Sequence, residues 1–192
     1  MSRILVDQIR SNSASADAIT LDGSGNLTIP GNATISGTAT GFGGGKVLQV
    51  VYATTSSAVF NYTSTLADTG LTATITPSAT TSKILVLVSQ AWMSRKTNAN
   101  YSGGFIGIFR GSTQITARTG TSNYDMYISA GGGSSLERYD RMTLVQLDEP
   151  STTSATTYKT QQAAAETVSG GSFIGANTDN RTSYITLMEI GA

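Results

Sequence analysis

The 192-residue chain contains no histidine and no cysteine, three prolines, one tryptophan and few charges: 12 Lys+Arg against 12 Asp+Glu, formally neutral at pH 7. Each shortage excludes something. Without His or Cys there is no Ser-His-Asp or Cys-His catalysis, no thiolate chemistry, no disulfide framework and no ordinary zinc, haem or iron–sulfur site. With 12% charged residues in balance, the chain lacks the basic footprint of a nucleic-acid binder, so no nucleic acid is expected as partner. No window approaches the ~18 apolar residues of a membrane-spanning helix, and no membrane insertion is expected. The start, MSRILVDQIR, is too short an apolar run for a signal-peptide core. The Asn-x-Thr triplets at Asn26, Asn32, Asn61 and Asn180 are expected as chance in so Thr-rich a chain.

What is abundant is Ser and Thr, 54 together, with 21 Gly. Thr and Val suit a pleated surface, and Gly, Asn and Ser suit the turns between strands. An all-β fold is therefore expected. Its organisation changes once, near residues 41–45. Residues 1–18 form an arm, and residues 19–45 (…ITLDGSGNLTIPGNATISGTATGFGGG) form a Gly/Thr-rich stalk of short β segments and a linker. Too few apolar residues lie here to enclose a core, so order in this region requires copies of itself or another protein.

From 46 to 192 about ten strand-like runs alternate with turns: KVLQVVYAT, AVFNYT, LTATIT, SKILVLVSQAWM, GFIGIFRG, QITAR, DMYIS, RMTLVQLDE, TTYKTQQA and SYITLMEI. Leu71, Ala73 and Ile75 fall on one face and Thr72, Thr74 and Thr76 on the other. The run ILVLV is apolar on both faces and predicts a sheet covered on both sides. So many short strands without an amphipathic helix predict a β-sandwich or closed barrel. Gln161–Glu166 tempts a helix assignment but is too short to stand alone.

The segment order carries a resemblance. LADTGLTATITPSATTSKILVLVSQAWM gives an alternating strand, a turn at Pro77 and a long apolar strand ending at Trp92. IFRGSTQI follows with a tight turn at Gly111, and the chain closes on SYITLMEI. This resembles the trimeric jelly-roll head of the complement and tumour-necrosis-factor type, and more specifically the jelly-roll heads at the ends of bacteriophage fibre-like virion proteins. LDGSGNLTIPGNATISGTATG is similar to their stalk segments. The resemblance implies an antiparallel jelly-roll β-sandwich, a homotrimer whose last strand is buried centrally, and a place on the virion surface.

Sharper chemical motifs fail on inspection. GFGGGK lacks the first Gly and the Ser/Thr of a phosphate loop, having Thr40 and Val47 there, and reads as a linker. Asp22, Ser24 and Asn26 alternate like calcium ligands, but Ala33 stands where the bidentate Glu belongs, so a β-turn is expected. Asp148 and Glu149 are neighbours on a strand and point to opposite faces, a poor pair for glycoside cleavage. No enzyme activity and no cofactor or metal is therefore expected.

Binding is the better reading. Ile4, Leu5, Val6 and Ile9 form the apolar cluster ahead of the stalk and are the candidates for docking onto other virion proteins. Tyr101, Tyr124, Tyr127 and Tyr139, in or beside loop-rich segments, are candidates for host-surface glycan, because rings stack on sugar faces. Trp92 is expected in the core or at a subunit interface. Ile185, Leu187, Met188 and Ile190 offer apolar side chains on both faces of the last strand; one set fills the sandwich and the other calls for symmetry mates around a threefold axis. The expected function is a non-enzymatic, trimeric virion fibre or spike. Capsid decoration or cementing is the close rival, and a free carbohydrate-binding module the more distant one.

Overall fold

The computed structural model describes residues 8–9, 19–24, 26–29, 46–97, 101–116, 125–129, 135–165 and 172–191. The chain divides into two compact units, Met1–Gly43 and Gly44–Ala192.

In the first unit β1 (Gln8–Ile9), β2 (Ile19–Leu21) and β3 (Leu27–Thr28) pair antiparallel in that order. Exposed Leu21 and Leu27 border the β2–β3 turn, so this small sheet buries little apolar surface of its own. The turn is closed by Asp22, whose carboxylate accepts from Ser24 N–H at 2.9 Å, Asn26 N–H at 2.8 Å and the Asn26 amide at 2.7 Å. An Asp side chain bonding its own downstream backbone is a turn device. The calcium-like spacing at 22, 24 and 26 is thus that β-turn.

The second unit contains β4 (Val47–Thr55), β5 (Val59–Asn61), β6 (Ala67–Ile75), β7 (Lys83–Lys96), β8 (Tyr101–Arg110), β9 (Thr113–Gln114), β10 (Met126–Ser129), β11 (Leu136–Asp148), β12 (Thr156–Ala164), β13 (Phe173–Ala176) and β14 (Ser183–Ile190). No helix occurs among the described residues. One sheet has the order β10-β8-β12-β6, with β9 beside β8; the other has β4-β14-β7-β13-β5, with β11 along the free side of β7. Every ladder in the unit is antiparallel. The β8–β9 turn needs a left-handed residue, and Gly111 supplies it at φ 58°. Gln161, in the helix-tempting stretch, pairs within β12.

The two sheets face each other over a shared core, giving a β-sandwich-like fold. Leu71, Ala73 and Ile75 of β6 pack with Ile84, Val86 and Val88 of β7, Ile108 of β8, Tyr158 of β12, and Ile185 and Leu187 of β14. The alternation read at 71–76 holds: those three residues are buried, while Thr72 and Thr74 face water. A second cluster gathers Ile106, Met126, Ala164 and Ile174 around Trp92. The Trp92 indole N–H donates to Gln162 Oε1 at 2.8 Å, which settles the lone tryptophan in the core.

Between these clusters lies a buried polar knot. Gln90 donates to Asn177 Oδ1 and Ser183 Oγ, both at 2.7 Å, and accepts from Thr160 at 2.9 Å. Asn177, left-handed at φ 57°, donates to the carbonyls of Ser57 at 2.9 Å and Thr69 at 2.8 Å. Buried polar groups are costly unless fully bonded. Here the bonds tie β7, β12, the turn after β13 and β14 into one register.

Candidate functional site

The face of the six-stranded sheet that points away from the core is unusual for an outer surface. Antiparallel register places Val50 (β4), Met188 (β14), Leu85 (β7) and Leu147 (β11) in one cross-strand row. The next row is Tyr52, Thr186, Leu87 and Val145. Val50 is 56% exposed, Tyr52 59%, Val145 59% and Leu147 48%, so the rows are open to solvent at both margins. Leu85, Leu87 and Met188 between them, and Ile190 just beyond, are half-buried by their neighbours alone. Soluble surfaces scatter single apolar residues, whereas here two cross-strand rows, apolar but for Thr186, run side by side over four strands.

Tyr52 and Tyr184 stack at 6.2 Å and bound these rows on one side. Arg141 covers the Tyr184 ring at 5.6 Å and is anchored to Ser89 Oγ at 3.1 Å and Thr182 O at 3.0 Å. An apolar centre edged by tyrosine and arginine has the composition of a protein–protein interface.

The last strand therefore splits the set read from it. Ile185 and Leu187 are wholly buried in the core of the single chain. Met188 and Ile190 belong to the outer face. The expectation that ILVLV lies in a sheet covered on both sides is corrected in the single chain: Ile84, Val86 and Val88 are covered, while Leu85 and Leu87 are not fully so.

The candidate glycan contacts do not form one surface. Tyr101 and Tyr127 stack at 5.8 Å on neighbouring strands β8 and β10, facing outward from the five-stranded sheet. Tyr139 sits on β11 in the other sheet. All three are strand residues; tyrosine fits a half-exposed pleated position. The Tyr139 hydroxyl donates to Glu137 Oε2 at 2.7 Å. Chiefly because of that bond, its ionisation is pushed up to about 12. Tyr124 lies outside the described residues. So do Ile4, Leu5 and Val6 of the docking set, and the GFGGG tract; Ile9 is exposed on β1.

The carboxylates are engaged structurally. Asp148 accepts from Arg110 Nη1 at 2.9 and 3.1 Å and from the Tyr158 hydroxyl at 2.7 Å. Burial and that bond to Asp148 raise the Tyr158 phenol far above its ordinary value. Glu149 pairs instead with Lys83 at 2.7 Å, so the two acids serve separate partners. Beside the apolar rows, on the core side of β14, Glu189 accepts from Ser78 Oγ at 2.6 Å, Ser78 N–H at 2.7 Å and Gln49 at 2.6 Å. Burial works against its charge, but these donors prevail and hold the carboxyl at about 2.

Sequence reasoning named Met188 and Ile190 but missed β4 beside them and β11 across β7 as parts of the same face. The signal was present in VLQVVY and LVQL as period-two apolar residues, but only the pairing order brings them together. No protein-family model matches the chain, and no curated protein sequence matches it.

Proposed function

We propose that the chain is a non-enzymatic structural protein of a bacteriophage virion. In this reading it is a short homotrimeric fibre, with its leading residues held by other virion proteins and its 46–192 head displayed toward the host surface. The observation that carries the proposal is the pair of apolar rows on the outer face of the six-stranded sheet. One copy leaves them wet, and closed symmetry covers them most simply with the same strands of other copies.

Strand order supports a jelly roll for the head. Setting aside the short β5, β9 and β13, the remaining eight strands, counted along the chain, run 1-8-3-6 in one sheet and 5-4-7-2 in the other. That interleaving of first with last and second with seventh is how a jelly roll winds. The tied-up carboxylates favour a binding role over a hydrolytic one. Three heads on one stalk, repeated over a particle, turn weak contacts into avidity.

The test is a pair of chains, full-length and lacking residues 1–10. Both form trimers, and only the full-length chain co-purifies with virions of the encoding phage. Equal recovery of both with the particles, or of neither, overturns the virion assignment.

A further inference from the structure

The sheet that carries the apolar rows ends in two free edges, and the backbone at both is turned outward. On β7 the Ala91 N–H donates to Ser183 Oγ at 2.8 Å and the Ala91 carbonyl accepts from Asn177 N–H at 3.0 Å. Both partners lie on the β13–β14 side of β7. Successive residues of an antiparallel strand bond alternately to one side and the other, so odd-numbered β7 residues bond toward β14 and even-numbered ones toward β11. The pairs Gln90↔Met142 and Val88↔Leu144 then leave the N–H and C=O groups of Thr143 and Val145 on the free side of β11. The pairs Leu87↔Thr186 and Leu187↔Val51 leave those of Tyr52 and Thr54 on the free side of β4.

Most of the β11 edge is guarded. Glu137, Arg138 and Asp140 charge its first half, the Arg141 N–H donates to Asp140 Oδ1 at 2.8 Å, and the Leu147 carbonyl accepts from the Gln146 amide at 2.9 Å. Between these caps the run from Met142 to Leu147 carries no charge, and among the described residues no strand but β7 lies beside it. An uncharged, unpaired edge is a template for another strand. The β4 edge is its complement. Four strands, each antiparallel to the next, lead from β4 to β11, so the two edges run in opposite directions. A copy rotated about an axis along the strands therefore brings its β4 antiparallel to β11. At equal height Val145 stands level with Tyr52, and Thr143 with Thr54. In both pairs the open backbone groups face each other and the side chains share the outer face.

We propose that the β11 edge at Thr143 and Val145 pairs with the β4 edge at Tyr52 and Thr54 of the next copy, joining three four-stranded panels into one ring with the apolar rows inside. Strands lie ~4.8 Å apart, so each panel, its junction included, is about 19 Å wide. Three panels set edge to edge stand about 5.5 Å from the common axis, near half the ~10 Å between face-packed sheets, so side chains fill the interior. Four panels stand about 10 Å from the axis and leave a void. Two copies joined β11 to β11 about a twofold leave both β4 edges open and enclose nothing. The inference rests on reading the head as a homotrimer and adds which strands meet.

The chain has no cysteine, so introduced thiols report only on where they are placed. The full-length Thr54→Cys/Thr143→Cys double variant sets thiols on facing positions of neighbouring copies, ~5.5 Å apart at Cα and within reach of a disulfide. Within one copy the two positions are three strand spacings, about 14 Å, apart and cannot bridge. Oxidation with diamide and a denaturing gel without reductant should give covalent dimers and trimers, with the trimer the largest product. Tyr52→Cys/Val145→Cys, one rung along, should give the same ladder, and none of the four single variants should give any. A covalent dimer from Thr143→Cys or Val145→Cys alone pairs β11 with β11 about a twofold and overturns the proposal, and one from Thr54→Cys or Tyr52→Cys alone does so through β4. Both double variants remaining at one chain mass on the gel, while the parent sediments at three, also overturns it and leaves the trimer in place with its contacts elsewhere. A parent that sediments at one chain mass removes the trimer reading itself, and the ring with it.

Discussion

The outer faces of the two large sheets answer to different surroundings. On β6 and β12 the outward positions are Asp68, Thr72, Thr74, Thr157, Lys159 and Gln161, joined by bonds such as Thr74–Thr157 at 2.8 Å and Lys159–Asp68 at 2.8 Å. On β4, β14, β7 and β11 the corresponding positions carry valine, leucine, methionine and tyrosine. Both sheets share one core, so inward packing cannot cause the contrast. Water suits the β6–β12 face; the second is the face that the proposed self-association would cover.

That contrast is broken most severely by charge at the centre of the apolar rows. Leu87→Asp should weaken self-association at least ~100-fold, because a carboxylate there would be desolvated without a partner, read as mass by light scattering across a dilution series. Thr72→Asp on the opposite sheet should leave the mass unchanged. Next in size is the knot that holds the sheets in register: Asn177→Ala removes the donors to the buried Thr69 carbonyl and the part-buried Ser57 carbonyl and should cost about 3 kcal/mol in urea unfolding. A cost under about 1 kcal/mol would show that the knot is dispensable.

Glu189 gives a smaller and pH-dependent effect. Its carboxyl is held near 2 in the folded chain against an ordinary value of 4.5. The charged form therefore adds stability at and above about pH 4.5, and that contribution is lost as pH falls toward 2. Compared with Glu189→Gln, the parent chain should lose stability faster on acidification through this window; parallel acid melts would contradict it. Smallest of all, Thr74→Val on the wet face should change stability by no more than about 0.5 kcal/mol and leave the assembly mass alone.

Much of this was legible in the sequence. Strict alternation announced β6, and the apolar run at 84–88 announced the first half of β7. Strand β13 escaped because FIGA is four residues long among Ser and Gly, and is a strand only because β5 and β7 flank it. The first half of β11, ahead of the run RMTLVQLDE, escaped because its charged residues Glu137, Arg138 and Asp140 carry no apolar alternation. Edge strands are commonly charged, since charge discourages unwanted pairing. The tyrosines were sorted by nearness in sequence, but cross-strand register sends Tyr127 and Tyr139 to different sheets. Met188 and Ile190 could be read as needing cover from one strand alone. The breadth of the face, four strands wide, is a property of pairing order that no single segment contains.

The central claim is that the outer apolar rows are covered by copies of the same chain. Sedimentation equilibrium on the full-length protein at micromolar concentration tests it most directly. The account predicts a single species of about three times the 19.9 kDa chain mass; a stable species of one chain mass, with Val145 and Leu147 still open to water, would contradict it.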